Sequence, residues 1–237
     1  MGDYAAAAEF YDLLYASVKD YPAEAVLLAG IVRDAMPHAT RLLDVACGSG
    51  EHARALSLLG FDVDGVDLEP AFVALAQARC PGGRFVVGDM TSLDLERRYD
   101  VVLCLFSAIG YAVTVPRLNQ TVARLAAHVE PDGLVIVDPW FEPGQLTHRH
   151  VAMRTGETDQ LAVSRISRTL IDGRMSRLEF SYLIGRPDGI EHLVESHALG
   201  LFTQDEMEAA FENAGLTVQR LPEVLRTRGL YVGQRGR

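Results

Sequence analysis

Between residues 41 and 139 short apolar runs alternate with longer amphipathic stretches: RLLDVACGSG, EHARALSLLG, FDVDGVDLE, PAFVALAQARC, RFVVGDM, DVVLCLFSAIG, VPRLNQTVARLAAHVEPDG and LVIVDP. Strand-length apolar runs interleaved with helical periodicity predict an α/β fold whose parallel sheet is covered on both faces. In the stretch opening near Val115, Leu118, Val122, Leu125 and Val129 recur at helical spacing. Pro131 with Gly133 marks the end of that helix, and the next strand is expected to start at Leu134.

From about 145 to 200 the period drops to two. AVSRISRTL and MSRLEFSYLIG flank Asp172-Gly173, which predicts a β-hairpin, and HLVESHALGLF is a further extended stretch. Thr203 with Glu206 three residues on forms a capping box, Met207, Ala210 and Phe211 make an apolar stripe, and Gly215 closes the helix. LTVQRL and GLYVGQR then read as strands returning to the main sheet, and the alanines at 5–8 as the start of an N-terminal helix. No internal repeat or low-complexity segment interrupts the pattern.

Composition narrows the function. The 237 residues carry a net charge of −10, and a dedicated nucleic-acid binder needs a basic face instead. The hydrophobic fraction of 49% is enough for one sizeable core, and the length allows one or two domains. The strongest apolar run, Val101 to Phe106, falls far short of the roughly 18 to 20 residues a membrane helix needs. The N-terminus lacks the basic start of a secretory signal, and Cys47, Cys80 and Cys104 are too scattered for a disulfide framework or a zinc site. A reducing cytoplasm is the expected compartment.

The chemistry concentrates in Asp44-Val-Ala46-Cys-Gly48-Ser-Gly50-Glu-His-Ala53, a glycine turn between a strand and a helix. Asp67 ends the following strand, 19 residues beyond Gly48, near the spacing at which an acid meets a ribose hydroxyl pair. Gly48, Gly50 and Ala53 also satisfy a loose dinucleotide fingerprint. Charge separates the two readings: Asp44 before the loop and Glu51 on the first helical turn repel a pyrophosphate but favour the sulfonium and ammonium of S-adenosylmethionine. Gly88-Asp89-Met90 supplies a third acid, suited to the adenine amino group. Singly, Asp67 serves equally as a helix N-cap and Asp89 as a turn former; three acids at three successive strand ends mark the ligand edge of a parallel sheet.

At these residues the chain resembles the class I S-adenosylmethionine-dependent methyltransferases, with DVACGSG as their first motif, GVDLE as the second-strand acid and VGDM as the adenine-contacting motif. FYDLLYASVKDY, CLFSAIGY, VDPWF, LFTQDEMEAAFENAGL and RGLYVG extend the likeness to the dTDP-aminosugar N,N-dimethyltransferases of the desosamine and mycaminose type. The resemblance implies a Rossmann-like class I methyltransferase sheet with helices on both faces, formed by 1–144 and 201–237, with lid helices at 1–40. It also implies an inserted antiparallel β cap at 145–200 that binds substrate and helps form a homodimer.

Carried over position by position, the cofactor set is Tyr15, Lys19, Tyr21, Asp44, Ala46, Gly48, Gly50, Asp67, Leu68, Asp89, Met90 and Phe106. Ser107, Tyr111, Asp138, Trp140 and Arg228 would face the sugar nucleotide. Tyr15 and Tyr111 are the candidates to hydrogen-bond the reacting amine, and some family members have a histidine where this chain has Tyr111. Arg228, with cap arginines such as Arg154 or Arg177, would meet the diphosphate. His148, His150, His192 and His197 read as solvated positions, and no metal is expected. The rival readings are a methyltransferase of another small metabolite, a dinucleotide-binding oxidoreductase module and a non-catalytic interaction protein.

Overall fold

A computed structural model describes residues 7–222, 224 and 228–236. It contains six α-helices, α1 (Ala8–Tyr15), α2 (Tyr21–Ala35), α3 (Glu51–Leu58), α4 (Pro70–Arg79), α5 (Val115–Ala127) and α6 (Gln204–Asn213), among the described residues. Strands β1 (Arg41–Val45), β2 (Asp62–Asp67), β3 (Phe85–Val87), β4 (Tyr99–Cys104), β5 (Val129–Val137), β10 (Leu216–Leu221) and β11 (Leu230–Arg235) build one sheet in the order β10-β11-β5-β4-β1-β2-β3. β1 to β5 run parallel; β11 is antiparallel to both β5 and β10. The second sheet is fully antiparallel, β6 (Val151–Glu157), β7 (Ala162–Asp172), β8 (Met175–Arg186) and β9 (Gly189–Gly200) in sequential order.

Burial on both faces explains the continuous apolar runs. Leu43, Val45, Val102, Cys104, Val135 and Val137 pack with Leu118, Val122 and Leu125 of α5 and Phe211 of α6, whereas Leu42, Leu103, Leu134 and Ile136 pack with Leu28 and Val32 of α2 and Leu56 of α3. A third cluster joins Phe10 and Leu14 of α1 to Val163, Phe180, Tyr182 and Ile184, so the N-terminal helix docks on the inner face of the second sheet. Gly156 permits that approach: a Cβ there would lie 2.7 Å from Leu13 Cγ and 2.8 Å from its carbonyl oxygen.

The Asp172-Gly173 hairpin, the Thr203–Glu206 capping box and the return of the last two strands are as the pattern predicts. Two expectations change. The helix from Val115 ends at Ala127 and Val129 already pairs with Tyr99, so Pro131 and Gly133 lie inside β5. There Asp132 takes φ 64° and a Cβ on Gly133 would fall 2.7 Å from Asp100 O, an irregularity of the strand rather than a helix stop. β6 carries no apolar alternation, because the positions on its inward face are Ala152, Arg154 and Gly156. The helix start expected at 5–8 falls partly outside the described residues, and the described helix opens at Ala8.

Candidate active site

The carboxyl ends of β1, β2 and β4 gather the loop residues. Backbone geometry prepares the first loop: Ala46, Gly48 and Gly50 have φ of 60°, 54° and 81°. The two glycines serve different needs. Around Gly48 a Cβ would meet nothing within 4 Å, leaving open space beside the backbone, whereas a Cβ on Gly50 would stand 2.9 Å from Ala76 and separate α3 from α4.

Asp67 accepts the Gly48 amide at 2.8 Å and the Glu69 amide at 3.0 Å, which ties the end of β2 to the loop after β1. Burial raises its carboxyl above the usual range against the pull of those amides. Asp44 is 2% exposed, and its Oδ2 is buried without a hydrogen-bond partner among the described residues. Desolvation, with the neighbouring charge of Asp67 adding to it, pushes the Asp44 carboxyl up to about 7. An orphaned acid beside an open glycine cradle fits a cationic ligand, as the sulfonium and ammonium of S-adenosylmethionine require. Glu51, by contrast, is occupied by Arg54 and Arg79 at 3.4 and 3.5 Å. Leu68 is partly exposed beside Asp67, and half-buried Met90 follows Asp89, whose Oδ1 caps the Thr91 amide and hydroxyl, both at 2.8 Å.

The N-terminal helices are pinned to this loop. Asp12 accepts from Ser49 Oγ at 2.5 Å and from Arg79 at 2.7 Å, and Glu24 pairs with Lys19 at 2.6 Å and His52 at 2.8 Å. Tyr15 and the Lys19 ammonium both pack on the Phe106 ring, at 5.1 and 4.5 Å, and Tyr21 stands edge-on to His52 at 4.9 Å. Burial and the surrounding acids raise the Tyr21 phenol well above its ordinary value. Phe106 and Ser107 hold successive positive φ of 52° and 62°, a strained turn that feeds a 3-10 helix, Ala108–Ala112.

A second cluster forms beyond that turn. Ser107 Oγ donates to Pro139 O at 2.8 Å, and Arg228 donates to Ser107 Oγ and, at 3.0 Å, to Pro139 O. The guanidinium lies 4.3 Å from the Phe141 ring and 5.3 Å from Trp140; burial lowers its pKa while Asp138 favours its charge. Trp140 Nε1 donates to Ser176 Oγ at 2.8 Å, joining this cluster to the antiparallel sheet. Arg228 is therefore held by the protein itself.

Tyr111 and Tyr15 reach the second sheet from two sides. Tyr111 Oη is 3.2 Å from His197 Nδ1, and Arg165 donates to Tyr15 Oη at 3.0 Å. His197 has no exposed surface, which overturns its expected solvation; strand alternation turns it inward with Glu195 and Leu199, whereas His192 is exposed. Arg154 lies 5.4 Å over the Tyr15 ring, but Arg177 is exposed on the opposite face of the sheet and cannot join it. Arg165, Tyr182 and Glu195, which surround His197, are the residues sequence reasoning passed over. Their signal was a charged or polar side chain at the buried phase of a period-2 strand. Among the described residues no group of three or more His, Cys, Asp or Glu is placed to hold a metal.

Comparison with known proteins agrees with this geometry. A family model described as a methyltransferase domain matches residues 42–133. The chain is 42% identical over 231 residues to the dTDP-3-amino-3,6-dideoxy-alpha-D-glucopyranose N,N-dimethyltransferase of Streptomyces fradiae, covering 97% of this chain and 91% of the relative. Its fold matches the crystal structure of Streptomyces venezuelae DesVI at a TM-score of 0.90 and 37% identity, over 97% of this chain and 98% of the other. It also matches CalS10 of Micromonospora echinaspora, an amino pentose methyltransferase solved with S-adenosylmethionine bound, at 0.82 and 36%, over 92% and 93%.

Proposed function

Since the chain belongs to the family of dTDP-aminosugar N,N-dimethyltransferases, we propose that it transfers two methyl groups in succession to the ring amine of a dTDP-linked aminodeoxysugar. Membership removes the dinucleotide-binding and non-catalytic readings; the acceptor is the part that rests on the relatives. The observation that carries the proposal is the pairing of the Asp67–Gly48 bond and the orphaned Asp44 carboxylate with a lid that ends on Tyr15.

When bound, S-adenosylmethionine supplies an electrophilic methyl group on a sulfonium sulfur. The chain supplies orientation, which in oriented reactions contributes about 7 to 11 kcal/mol. In this assignment Asp67 holds the ribose hydroxyls, Asp89 and Met90 the adenine, and Asp44, Ala46, Gly48 and Gly50 the cationic end. Tyr15, Lys19, Tyr21, Leu68 and Phe106 close over it. Tyr111, Ser107, Asp138, Trp140 and Arg228 form the acceptor side. Arg154, seated over Tyr15, is the cap arginine suited to a diphosphate.

The outward face of the second sheet supports a homodimer. Met153, Ile166, Leu183, Ile190 and Val194 are all exposed on it, and Leu183 and Ile190 line a hollow of about 550 Å³ at one end together with Thr155, Ala162 and Ser164. Three buried free thiols suit a reducing cytoplasm, and no helix among the described residues is long and apolar enough to cross a membrane.

The test is mass spectrometry after incubation with S-adenosylmethionine and a dTDP-3-amino-3,6-dideoxyhexose. Sequential gain of two methyl groups, lost in Asp67→Ala, is the expected result. An unmodified sugar nucleotide despite cofactor binding would overturn the acceptor.

A further inference from the structure

Tyr15 is one of the groups that close the site, and what holds its hydroxyl lies in the second sheet, on residues with no role in the assignment above. Arg165, on β7, is 5% exposed, and its Nη1 donates to Tyr15 Oη at 3.0 Å. The guanidinium lies 4.4 Å from the centre of the Phe180 ring and faces the Tyr182 phenol. Its Nε is buried without a hydrogen-bond partner among the described residues. Tyr182, on β8, donates in turn to Glu195 Oε2 at 2.8 Å. A buried cation and a buried carboxylate are linked across the sheet by one tyrosine, an arrangement costly to desolvate that apolar packing would not need.

These bonds have a fixed direction. A guanidinium only donates, so Tyr15 Oη is an acceptor toward Arg165 and its single proton points elsewhere. Tyr15 is only partly buried, which leaves that proton for a ligand. An oxygen that accepts from a cation also donates more strongly in its turn. Arg165 and Arg154 lie 5.2 and 5.4 Å from the Tyr15 ring, a local concentration of positive charge in a chain of net charge −10.

We propose that Arg165 is a positioning residue, which holds Tyr15 as a hydrogen-bond donor to an oxyanion of a bound ligand. The inference rests on the aminosugar reading of the site and deepens it. That reading supplies two oxyanions, the carboxylate of S-adenosylmethionine and the diphosphate of the sugar nucleotide. The reacting amine is not the partner of this proton: a donor on a neutral amine occupies the lone pair that has to attack the methyl group. Arg165 touches neither ligand in this role. It acts through the Tyr15 hydroxyl, fixing where the oxygen stands and which way its proton points.

The experiment measures calorimetric binding of S-adenosylmethionine and of dTDP, each alone, together with kcat and KM. The proteins are wild type, Tyr15→Phe, Arg165→Met, Arg165→Lys and the double variant of Tyr15→Phe with Arg165→Met. A hydrogen bond to a charged group corresponds to roughly ten- to a hundredfold in affinity. A loss of that size is expected in Tyr15→Phe and in Arg165→Met for at least one ligand, with kcat at saturation little changed. Weakened S-adenosylmethionine identifies the carboxylate as the oxyanion, and weakened dTDP the diphosphate. Arg165→Met should add nothing in the Tyr15→Phe background, and Arg165→Lys, which keeps a donor, should recover most of the affinity. Losses that add, a lysine variant no better than the methionine one, a loss confined to kcat, or unchanged affinity for both ligands would make Arg165 structural and overturn the proposal. Should Arg165→Met fail to fold, Tyr182→Phe removes the hydroxyl that the guanidinium faces and carries the same expectation of a loss absent from the Tyr15→Phe background, with the same refutation. Binding is read without turnover, so a wild type that leaves the aminosugar unmodified removes the acceptor reading while the binding measurements still judge Arg165.

Discussion

Asp44 shows how one buried acid couples stability to ligand binding. Its carboxyl titrates near 7 in the fold and in the usual carboxylate range when unfolded, so the folded state holds the extra proton between those values. The stability it lends is complete below the unfolded value and is lost as pH rises to about 7, on the order of 2 to 4 kcal/mol over that span. A cation beside Oδ2 acts in the opposite sense, because it favours the ionised acid. The melting temperature of the ligand-free protein should therefore fall between about pH 4 and about pH 7 by a component that Asp44→Asn removes. S-adenosylmethionine affinity should rise through the same upper limit in the wild type and lie flat in the variant. Calorimetric titration across that range checks both, and a flat wild-type profile would remove Asp44 from the cofactor site.

Among the elements, α1 is the one whose position depends on others. Eight residues are too few for a helix to persist alone, and α1 is held by Phe10 and Leu14 against the second sheet and by Asp12 against the glycine loop. It therefore touches both halves of the site. Gly156→Ala would push a methyl group into the Leu13 backbone, so α1 must shift away from β6. We expect a loss of about 1 to 3 kcal/mol of stability and a weakened hold of Tyr15 on Arg165, read as a raised KM for both substrates. Ser164→Ala, on the outward face of the neighbouring strand, should change neither. Equal kinetics in Gly156→Ala and wild type would mean that docking of α1 does not shape the site.

At the scale of the whole molecule, the outward face of the second sheet is the large surface without a covering element. Its rows alternate Met153, Ile166 and Val194 with Leu183 and small residues such as Ala162 and Ser164, the composition of a face that packs against another. Light scattering should give twice the mass of 25.9 kDa for the wild type and a single mass for Met153→Asp with Ile166→Asp. A monomeric wild type at micromolar concentration would refute the pairing. The double variant should keep its cofactor affinity, because the face lies opposite the one that holds α1 and His197.

The primary structure alone determined the parallel sheet, the glycine loop with Asp44, the acids Asp67 and Asp89, the hairpin and the capped α6. Each is written in local spacing: burial on two faces, a turn that needs positive φ, a side chain that caps the backbone next to it. Tertiary structure alone decided the rest. Val129 has a helical phase with α5 but pairs with Tyr99, since a strand partner 30 residues away outweighs local periodicity. Arg228 reaches Pro139 and Ser107, 89 and 121 residues away, contacts that no local spacing marks. His197 sits 86 residues from Tyr111, and their contact exists only because β9 crosses behind the 3-10 helix. Pairings over such separations leave no mark on local spacing, because they depend on which faces meet once the two sheets have formed.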